Sequence, residues 1–180
     1  MKEADDKSLV QDCLKGNLQA FELLVERYQK PVFNIALRML NNADDAADVA
    51  QTVFLKAYEN LTSYNEQFRF FSWLYKIAVN TSLTVLEQKK RIDLLGDTEV
   101  AQDSSVGEAI EASERVEKLE DAILDLRPEY RVVIILRHFH DMSYEEMSQI
   151  LDIPEKTVKS RLYTARQMLK DSLMKSGLMD

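Results

Sequence analysis

Apolar residues recur at helical spacing along most of the chain, in stripes that polar breaks separate. In the first half this pattern predicts four helices. They lie at residues 8–15, between Asn17 and Asn41, at residues 44–61 and at residues 70–91. Asn17 is expected to cap the second helix. Pro31 is expected to kink or divide it, because proline removes a backbone donor from the helix interior.

The same periodicity returns in the second half of the chain. It predicts helices at residues 114–126 and 131–139, a short helix opened by Ser143, and a last helix at residues 155–173. Pro128 suits the first turn of a helix. Ser143 and Glu146 have the spacing of a capping box, in which each residue satisfies the backbone N–H of the other.

Residues 92–112 lack this periodicity and are rich in acids, which predicts a flexible, self-repelling linker. The chain has only four glycines and three prolines, too few turn residues for a β-sandwich or barrel. The predicted fold is therefore all-α. It consists of a small helical domain at residues 1–91, the acidic linker at 92–112 and a second small helical domain at 113–180.

The net charge of the 180 residues is −8, which argues against a non-specific nucleic-acid binder, because phosphate contacts need lysine and arginine. The charge is segregated, however. Residues 67–91 carry five basic and one acidic side chain, and residues 152–180 carry six and four. Residues 92–126 carry two and eleven. Two basic segments are thus separated by an acidic one, and each remains a candidate for contact with nucleic acid.

Several functional classes are excluded by what the sequence lacks. The single cysteine, Cys13, rules out an intrachain disulfide. His138 and His140 do not make a metal site by themselves, and we expect no metal, no cofactor and no catalytic activity, since no phosphate loop or catalytic triad is found. There is no run of about 18 apolar residues and no signal peptide at the start. The protein is therefore expected in the cytoplasm, without membrane insertion of its own.

A short helix, a three-residue turn at Asp152-Ile153-Pro154 and a longer helix predict a helix-turn-helix in the second domain. At about 100° per residue, one side of the last helix is apolar. That side consists of Val158, Leu162, Ala165 and Leu169. The opposite side carries basic and hydrogen-bonding side chains, namely Lys156, Lys159, Ser160, Tyr163, Arg166 and Gln167.

This polar side has the residue types that a DNA major groove requires, because cations bind phosphates and polar side chains read base edges. Arg161 lies near the boundary with the apolar side, and we expect it to reach a phosphate or a neighbouring carboxylate. Thr157 lies at the start of the helix and is expected to contact a phosphate or to act as a local cap. The same pattern is also typical of a surface helix with a solvated basic face.

Two further features lie in the first domain. Asp45, Asp48 and Gln51 recur every three residues and predict an exposed polar row, which could bind a basic partner or could simply be a solvated acidic face. Phe54 and Tyr58, further along the same helix, are expected in the core. The helix at 70–91 is rich in aromatic residues, which either stack on unpaired bases or form core. We expect at least two of them to be buried.

Three segments together resemble motifs of the sigma-70 family, in particular its small extracytoplasmic-function (ECF) group. These are DAADVAQTVFLKAY at residues 45–58, FSWLYKIAVN at 71–80 and TVKSRLYTAR at 157–166. The resemblance extends over about 160 of the 180 residues. It implies a bacterial RNA polymerase sigma factor that directs promoter-specific initiation, with sigma region 2 in the first domain and region 4 in the second.

The resemblance also implies partners and site residues. The first domain would bind a coiled-coil of the largest subunit of core RNA polymerase through Asp45, Asp48, Gln51 and Phe54. It would hold the melted −10 strand of promoter DNA through the loop at 62–69 and through Arg69, Trp73, Lys76 and Asn80. The second domain would dock on the polymerase flap and read the −35 duplex. Its implied contacts are Lys156, Thr157, Lys159, Ser160, Arg161, Tyr163 and Arg166.

An anti-sigma factor is a further implied partner. Several positions depart from the family pattern. Ala47 and Thr52 stand where glutamate is common, and Thr84 and Glu87 where aspartate and arginine are common. Lys156 stands where glycine is frequent and Thr164 where arginine is frequent, and these two leave the −35 sequence open. Three other classes remain alternatives: a stand-alone helix-turn-helix repressor or activator with a helical sensing domain, a helical adaptor without a role on DNA, and an enzyme. Promoter-specific transcription with core polymerase would separate these classes.

Overall fold

The structure, a computed structural model, describes residues 5–94 and 112–177. Within these ranges the chain forms helices and turns and no strand, so the predicted all-α class is confirmed. The α-helices are α1 (Asp6–Leu14), α2 (Leu18–Leu40), α3 (Ala43–Glu59), α4 (Phe70–Leu94), α5 (Ala112–Leu124), α6 (Pro128–Ile134), α7 (Tyr144–Leu151) and α8 (Glu155–Lys175). The chain divides into two compact units, the first built mainly from α1 to α4 and the second mainly from α5 to α8.

Side-chain caps determine where the helices of the first unit begin. Asp5 accepts a hydrogen bond from the amide of Ser8 at 2.7 Å, so α1 starts two residues before its predicted position. Asn17 accepts from the amide of Gln19 at 3.1 Å and caps α2, as predicted. Asn42 caps α3 in the same way.

Pro31 does not divide the second helix, because α2 runs as one helix from Leu18 to Leu40, and the alternative of a kink at Pro31 stays a prediction. Val32, Ile35 and Ala36, which directly follow the proline, are fully buried. Their packing compensates the hydrogen bond that the proline cannot donate. The helix ends at Asn41, which takes the left-handed conformation with φ 52°.

The core of the first unit joins all four of its helices. Its fully buried side chains include Val10, Leu24, Ile35, Met39, Val53 and Leu74. Cys13 is 8% exposed, and burial raises the pKa of its thiol, so the side chain has the surroundings of a core residue. Asp6 connects α1 to α2, because its carboxylate accepts from Arg27 Nη1 and from the Tyr28 hydroxyl, each at 2.5 Å.

Val49, Val53 and Ala57 form the buried side of α3. The expectation that Tyr58 lies in the core is wrong, because it is 45% exposed, and Phe54 is only half-buried. A helical stripe gives the angle at which a side chain leaves the helix, but not whether a neighbouring element covers it. α3 ends at Glu59, and Leu61 falls in a short 3-10 turn instead of the predicted helix.

The fourth helix continues to Leu94, three residues beyond its predicted end. The predicted acidic linker lies outside the described residues from position 95 to position 111. Its flexibility and the domain limits at 91 and 113 therefore stay predictions.

In the second unit, the helix predicted at 131–139 is present but begins three residues earlier, at Pro128, and its second half is a π-helical turn at Ile135–Phe139. Pro128 occupies the first turn of α6, as predicted. The apolar run from Val132 to Leu136 is buried. Arg131 ties α6 to the preceding helix, because its Nη2 donates to the carbonyl oxygens of Leu124 and Leu126. Burial lowers the pKa of this arginine.

Candidate nucleic-acid and partner interfaces

The predicted helix-turn-helix is present in the second unit. α7 and α8 are joined by the turn at Asp152, Ile153 and Pro154. Asp152 takes the left-handed conformation, with φ 55°, at the start of this turn. The Ser148 hydroxyl donates to the carbonyl of Ile153 at 2.6 Å and fixes the turn against α7.

The two sides of α8 are separated as the sequence predicts. Val158, Leu162, Ala165 and Leu169 are buried. Six residues of the opposite side are exposed, namely Lys156, Lys159, Ser160, Tyr163, Arg166 and Gln167. Thr157 and Arg161 are half-buried at the boundary. The alternative role of Thr157 as a cap is wrong, because Pro154 occupies the N-cap and no side-chain hydrogen bond caps the helix.

The position of Lys159 on this exposed side is restrained by two neighbours. Its Nζ lies 5.2 Å from the centre of the Tyr144 ring and 3.4 Å from Glu155 Oε2. The guanidinium of Arg137 lies 5.3 Å from the same ring. The Tyr144 ring therefore contacts two cations, and cation–π attraction favours both positions. This role of Tyr144 was not predicted, although its place next to the capping residue Ser143 was.

The polar row of the first unit lies on α3. Asp48 and Gln51 are exposed, and Asp45 is half-buried beside the Asn42 cap. Sequence reasoning missed that the row borders exposed apolar side chains. Leu55 is 58% exposed, and the ring of Tyr58 meets the Phe21 ring edge-on, with 5.1 Å between centroids. The exposure of Leu55 could have been predicted from the sequence, because Leu55 lies outside the apolar stripe that is buried on α3.

The aromatic residues of α4 divide between core and surface. Phe70 and Tyr75 are buried, which confirms that at least two of them form core. Trp73 is half-buried, and its ring centroid lies 5.6 Å from that of Tyr64 and 5.7 Å from that of Phe70. These ring contacts hold the Trp73 side chain in position, and part of it stays accessible.

The polar candidates of this region lie around the tryptophan. Arg69 is exposed, with its guanidinium 5.7 Å from the centre of the Phe71 ring, and Asn80 is exposed about two turns after Trp73 along α4. Lys76 is half-buried. Phe68 was not predicted as a site residue, yet it is 44% exposed in the loop before α4. Cations and accessible rings on one surface suit a single-stranded nucleic acid.

The described residues offer neither a metal site nor a membrane-spanning helix. At positions 5–94 and 112–177 there is no group of three or more His, Cys, Asp or Glu that could hold a metal ion. None of the helices in the same ranges is long and apolar enough to cross a membrane.

Comparison with known proteins identifies both units. The family model described as Sigma-70 region 2 matches residues 24–92, and that described as Sigma-70, region 4 matches residues 116–169. The chain is 32% identical to the ECF RNA polymerase sigma factor SigW of Bacillus subtilis, over 93% of this chain and 96% of that protein. It is 33% identical to the ECF RNA polymerase sigma-E factor of Escherichia coli K12, over 96% of both.

Solved structures share the fold. CnrH, solved in complex with the cytosolic domain of CnrY, superposes with a TM-score of 0.73 at 23% identity, over 94% of this chain and 97% of that one. The sigma factor RpoE of Bartonella quintana, solved with the anti-sigma factor NepR, also gives 0.73 at 23% identity, over 86% of this chain and 96% of that one.

The family models and the relatives define the class: the chain belongs to the sigma-70 family. Within that family it is an ECF RNA polymerase sigma factor, which directs transcription initiation. The prediction made from the three sequence motifs is confirmed, in preference to a stand-alone repressor or activator.

Proposed function

We propose that this sigma factor reads the −35 duplex of its promoters with the exposed side of α8. The observation that carries the proposal is the position of Lys156, Lys159 and Arg166, which are exposed opposite the buried side of the helix. The cations bind phosphates, and Ser160 and Tyr163 between them reach base edges in the major groove. Thr157 and Arg161 contribute phosphate contacts from the boundary of this side.

The surface around Trp73 holds the melted −10 strand. Trapping an unpaired base offsets an unstacking cost of a few kcal/mol per base, and an accessible ring against which a base packs provides such a trap. Arg69 and Lys76 supply positive charge for the strand, and Asn80 supplies hydrogen bonds. The support is that all four side chains are exposed or half-buried on one helix and its leading loop.

The row Asp45, Asp48, Gln51 and Phe54 on α3 binds the coiled-coil of the largest subunit of core polymerase, and the second unit docks on the flap. The exposed acid and amide of this row accept and donate charge-assisted hydrogen bonds to a basic helical surface. Leu55, exposed beside the row, adds apolar contact area.

The charge distribution explains why this factor works through polymerase. With a net charge of −8, the free chain is repelled by duplex DNA, although two of its segments are basic. When both DNA contacts are mounted on one polymerase, each raises the effective concentration of the other. The chain thus acts in the cytoplasm, where bacterial transcription takes place, and supplies promoter recognition while polymerase carries out catalysis.

An anti-sigma factor is a further partner in this proposal. The sigma factor RpoE of Bartonella quintana was solved in complex with the anti-sigma factor NepR, and CnrH with the cytosolic domain of CnrY. The exposed apolar side chains beside the α3 row, Leu55 and Tyr58, provide a surface that a competing partner could cover.

The test is run-off transcription with core polymerase and a library of genomic fragments from the same bacterium. We expect discrete transcripts only when both sigma factor and core polymerase are present. Permanganate should then modify unpaired thymines in the −10 region of the selected promoters. Tight sequence-specific binding of duplex DNA by the free chain, without specific transcripts, would contradict the proposal.

A further inference from the structure

His138 contacts a residue of the proposed −35 surface. It lies in the π-helical turn that follows α6, and its Nε2 is 3.3 Å from both Nε and Nη2 of Arg166 on α8. Both side chains are exposed. The contact joins the segment before the helix-turn-helix to the side of α8 that faces DNA in the proposed function.

His138 contacts only one of the two hydrogen-bonding edges of the Arg166 guanidinium. An arginine has two edges that can each donate two parallel hydrogen bonds, one formed by Nε with a terminal nitrogen and one formed by the two terminal nitrogens. His138 meets the first edge. The Nη1 nitrogen takes no part in the contact, so the end of the guanidinium keeps the fork that suits a phosphate.

Only a neutral imidazole can accept these hydrogen bonds. Nε2 is an acceptor when the ring proton is on Nδ1, whereas a protonated ring donates from both nitrogens and repels the guanidinium. Partial burial lowers the pKa of His138, Arg166 and Arg137 lower it further, and Asp141 opposes the shift. The lowered pKa favours the neutral ring, which accepts hydrogen bonds, near neutral pH.

Arg166 takes no part in the buried side of α8, which is formed by Val158, Leu162, Ala165 and Leu169. Since His138 is also exposed, the contact adds little to the core of the unit. Its main effect is to restrict the conformations of a long side chain, which reduces the entropy lost when that side chain meets a ligand.

We propose that His138 is a positioning residue for −35 recognition: in its neutral form it holds one edge of the Arg166 guanidinium and thereby directs the other edge to a DNA phosphate. This inference rests on the proposed function of α8. It predicts that part of the affinity for the −35 duplex depends on pH through a residue that need not contact DNA.

The test uses holoenzyme and a duplex that this holoenzyme selects from a randomised library. Because an exposed contact to a charged group contributes at most about 1 kcal/mol, H138A should weaken binding about two- to fivefold at pH 7.5. In the R166A background the same substitution should have no effect, since His138 acts through Arg166. Equal effects of H138A in both backgrounds would overturn the proposal.

The pH profile separates positioning from a structural role. H138Q offers a carboxamide oxygen as acceptor and does not titrate, so it should bind as tightly as the wild type at pH 7.5. Over the pH range in which the His138 ring titrates, followed by NMR, we expect the wild type to lose affinity relative to H138Q, because its imidazole becomes protonated. A wild type that parallels H138Q over this range, or an H138Q as weak as H138A, would overturn the proposal.

Substitutions on α8 separate the role of His138 from the proposed function of the helix. If K156A and K159A weaken binding but R166A does not, α8 reads DNA and only the role of His138 is wrong. If none of the three substitutions changes the affinity, the proposed function of α8 is itself wrong.

Discussion

Ser143 and Glu146 cap the first helix of the helix-turn-helix reciprocally. The amide of Glu146 donates to Ser143 Oγ at 3.1 Å, and the amide of Ser143 donates to Glu146 Oε2 at 2.8 Å. Two backbone donors that α7 could not satisfy internally are thereby paired. The cap fixes the start of α7 and, through the following turn, the position from which α8 begins.

Ser143→Ala should lower the free energy of unfolding of the second unit by about 1 kcal/mol, the usual cost of losing an N-cap. Far-UV circular dichroism during urea denaturation measures this loss. Fluorescence of Trp73, the only tryptophan, reports the first unit and serves as an internal reference. The matched control is Ser160→Ala, an exposed serine inside α8, which should not destabilise the protein. A loss of equal size in both variants would contradict the role of the cap.

Asp48→Asn should weaken assembly with core polymerase about tenfold, because one charge-assisted hydrogen bond to the coiled-coil becomes a neutral one. Titration of labelled core polymerase with the variant measures the effect. Asp171→Asn removes the same charge from an exposed position on α8 and should assemble like the wild type. If the two variants behave alike, the α3 row does not bind polymerase.

Lys156→Ala and Lys159→Ala should each weaken binding of holoenzyme to the selected −35 duplex. Each should also reduce the slope of log affinity against log salt concentration by about 1, since one phosphate contact is lost. Lys170→Ala, exposed on α8 on the same side as Lys159 but three turns further along, is the control and should keep the wild-type slope. Unchanged slopes in the first two variants would exclude phosphate contacts at these lysines.

The buried Tyr75 should make the free energy of unfolding of the first unit depend on pH in the alkaline range. It is 5% exposed, and burial, with a smaller effect of Asp6, raises its pKa to about 12, from an ordinary value of about 10. Since the folded state favours the protonated phenol, this contribution to stability is complete below pH ~10 and is lost as the pH rises towards 12. Tyr75→Phe does not titrate there.

Between pH 9 and pH 11, Tyr75→Phe should therefore lose less free energy of unfolding than the wild type, by about 1 kcal/mol. Urea denaturation at the two pH values gives the difference. Tyr163→Phe is the control, because Tyr163 is 68% exposed, and it should follow the wild type. An identical loss in wild type and Tyr75→Phe would show that the buried phenol does not contribute.

The sequence predicted the features that depend on local chemistry. The caps at Asn17 and Ser143 follow from side chains that hydrogen-bond to nearby amides. The buried side of α8, from Val158 to Leu169, follows from spacing alone. These features need no knowledge of what packs against the helix.

The features that were missed depend on tertiary neighbours. The exposure of Tyr58 is decided by which elements cover α3, and the continuity of α2 past Pro31 by the packing of Val32 and Ile35. The apolar run from Val132 to Leu136 gave no indication of the π-helical turn that begins at Ile135 and ends at Phe139. That turn carries His138, so its contact with Arg166 was beyond sequence reasoning.

The account's central claim is that α8 reads the −35 duplex only as part of the polymerase. Photo-crosslinking tests this most directly, with a photoreactive phenylalanine derivative in place of Tyr163, the aromatic residue of α8, which is 68% exposed. We predict a crosslink to the −35 duplex in holoenzyme and little or none with the free chain at the same concentration. Equal crosslinking by the free chain, or a holoenzyme crosslink to DNA elsewhere in the promoter, would contradict the account.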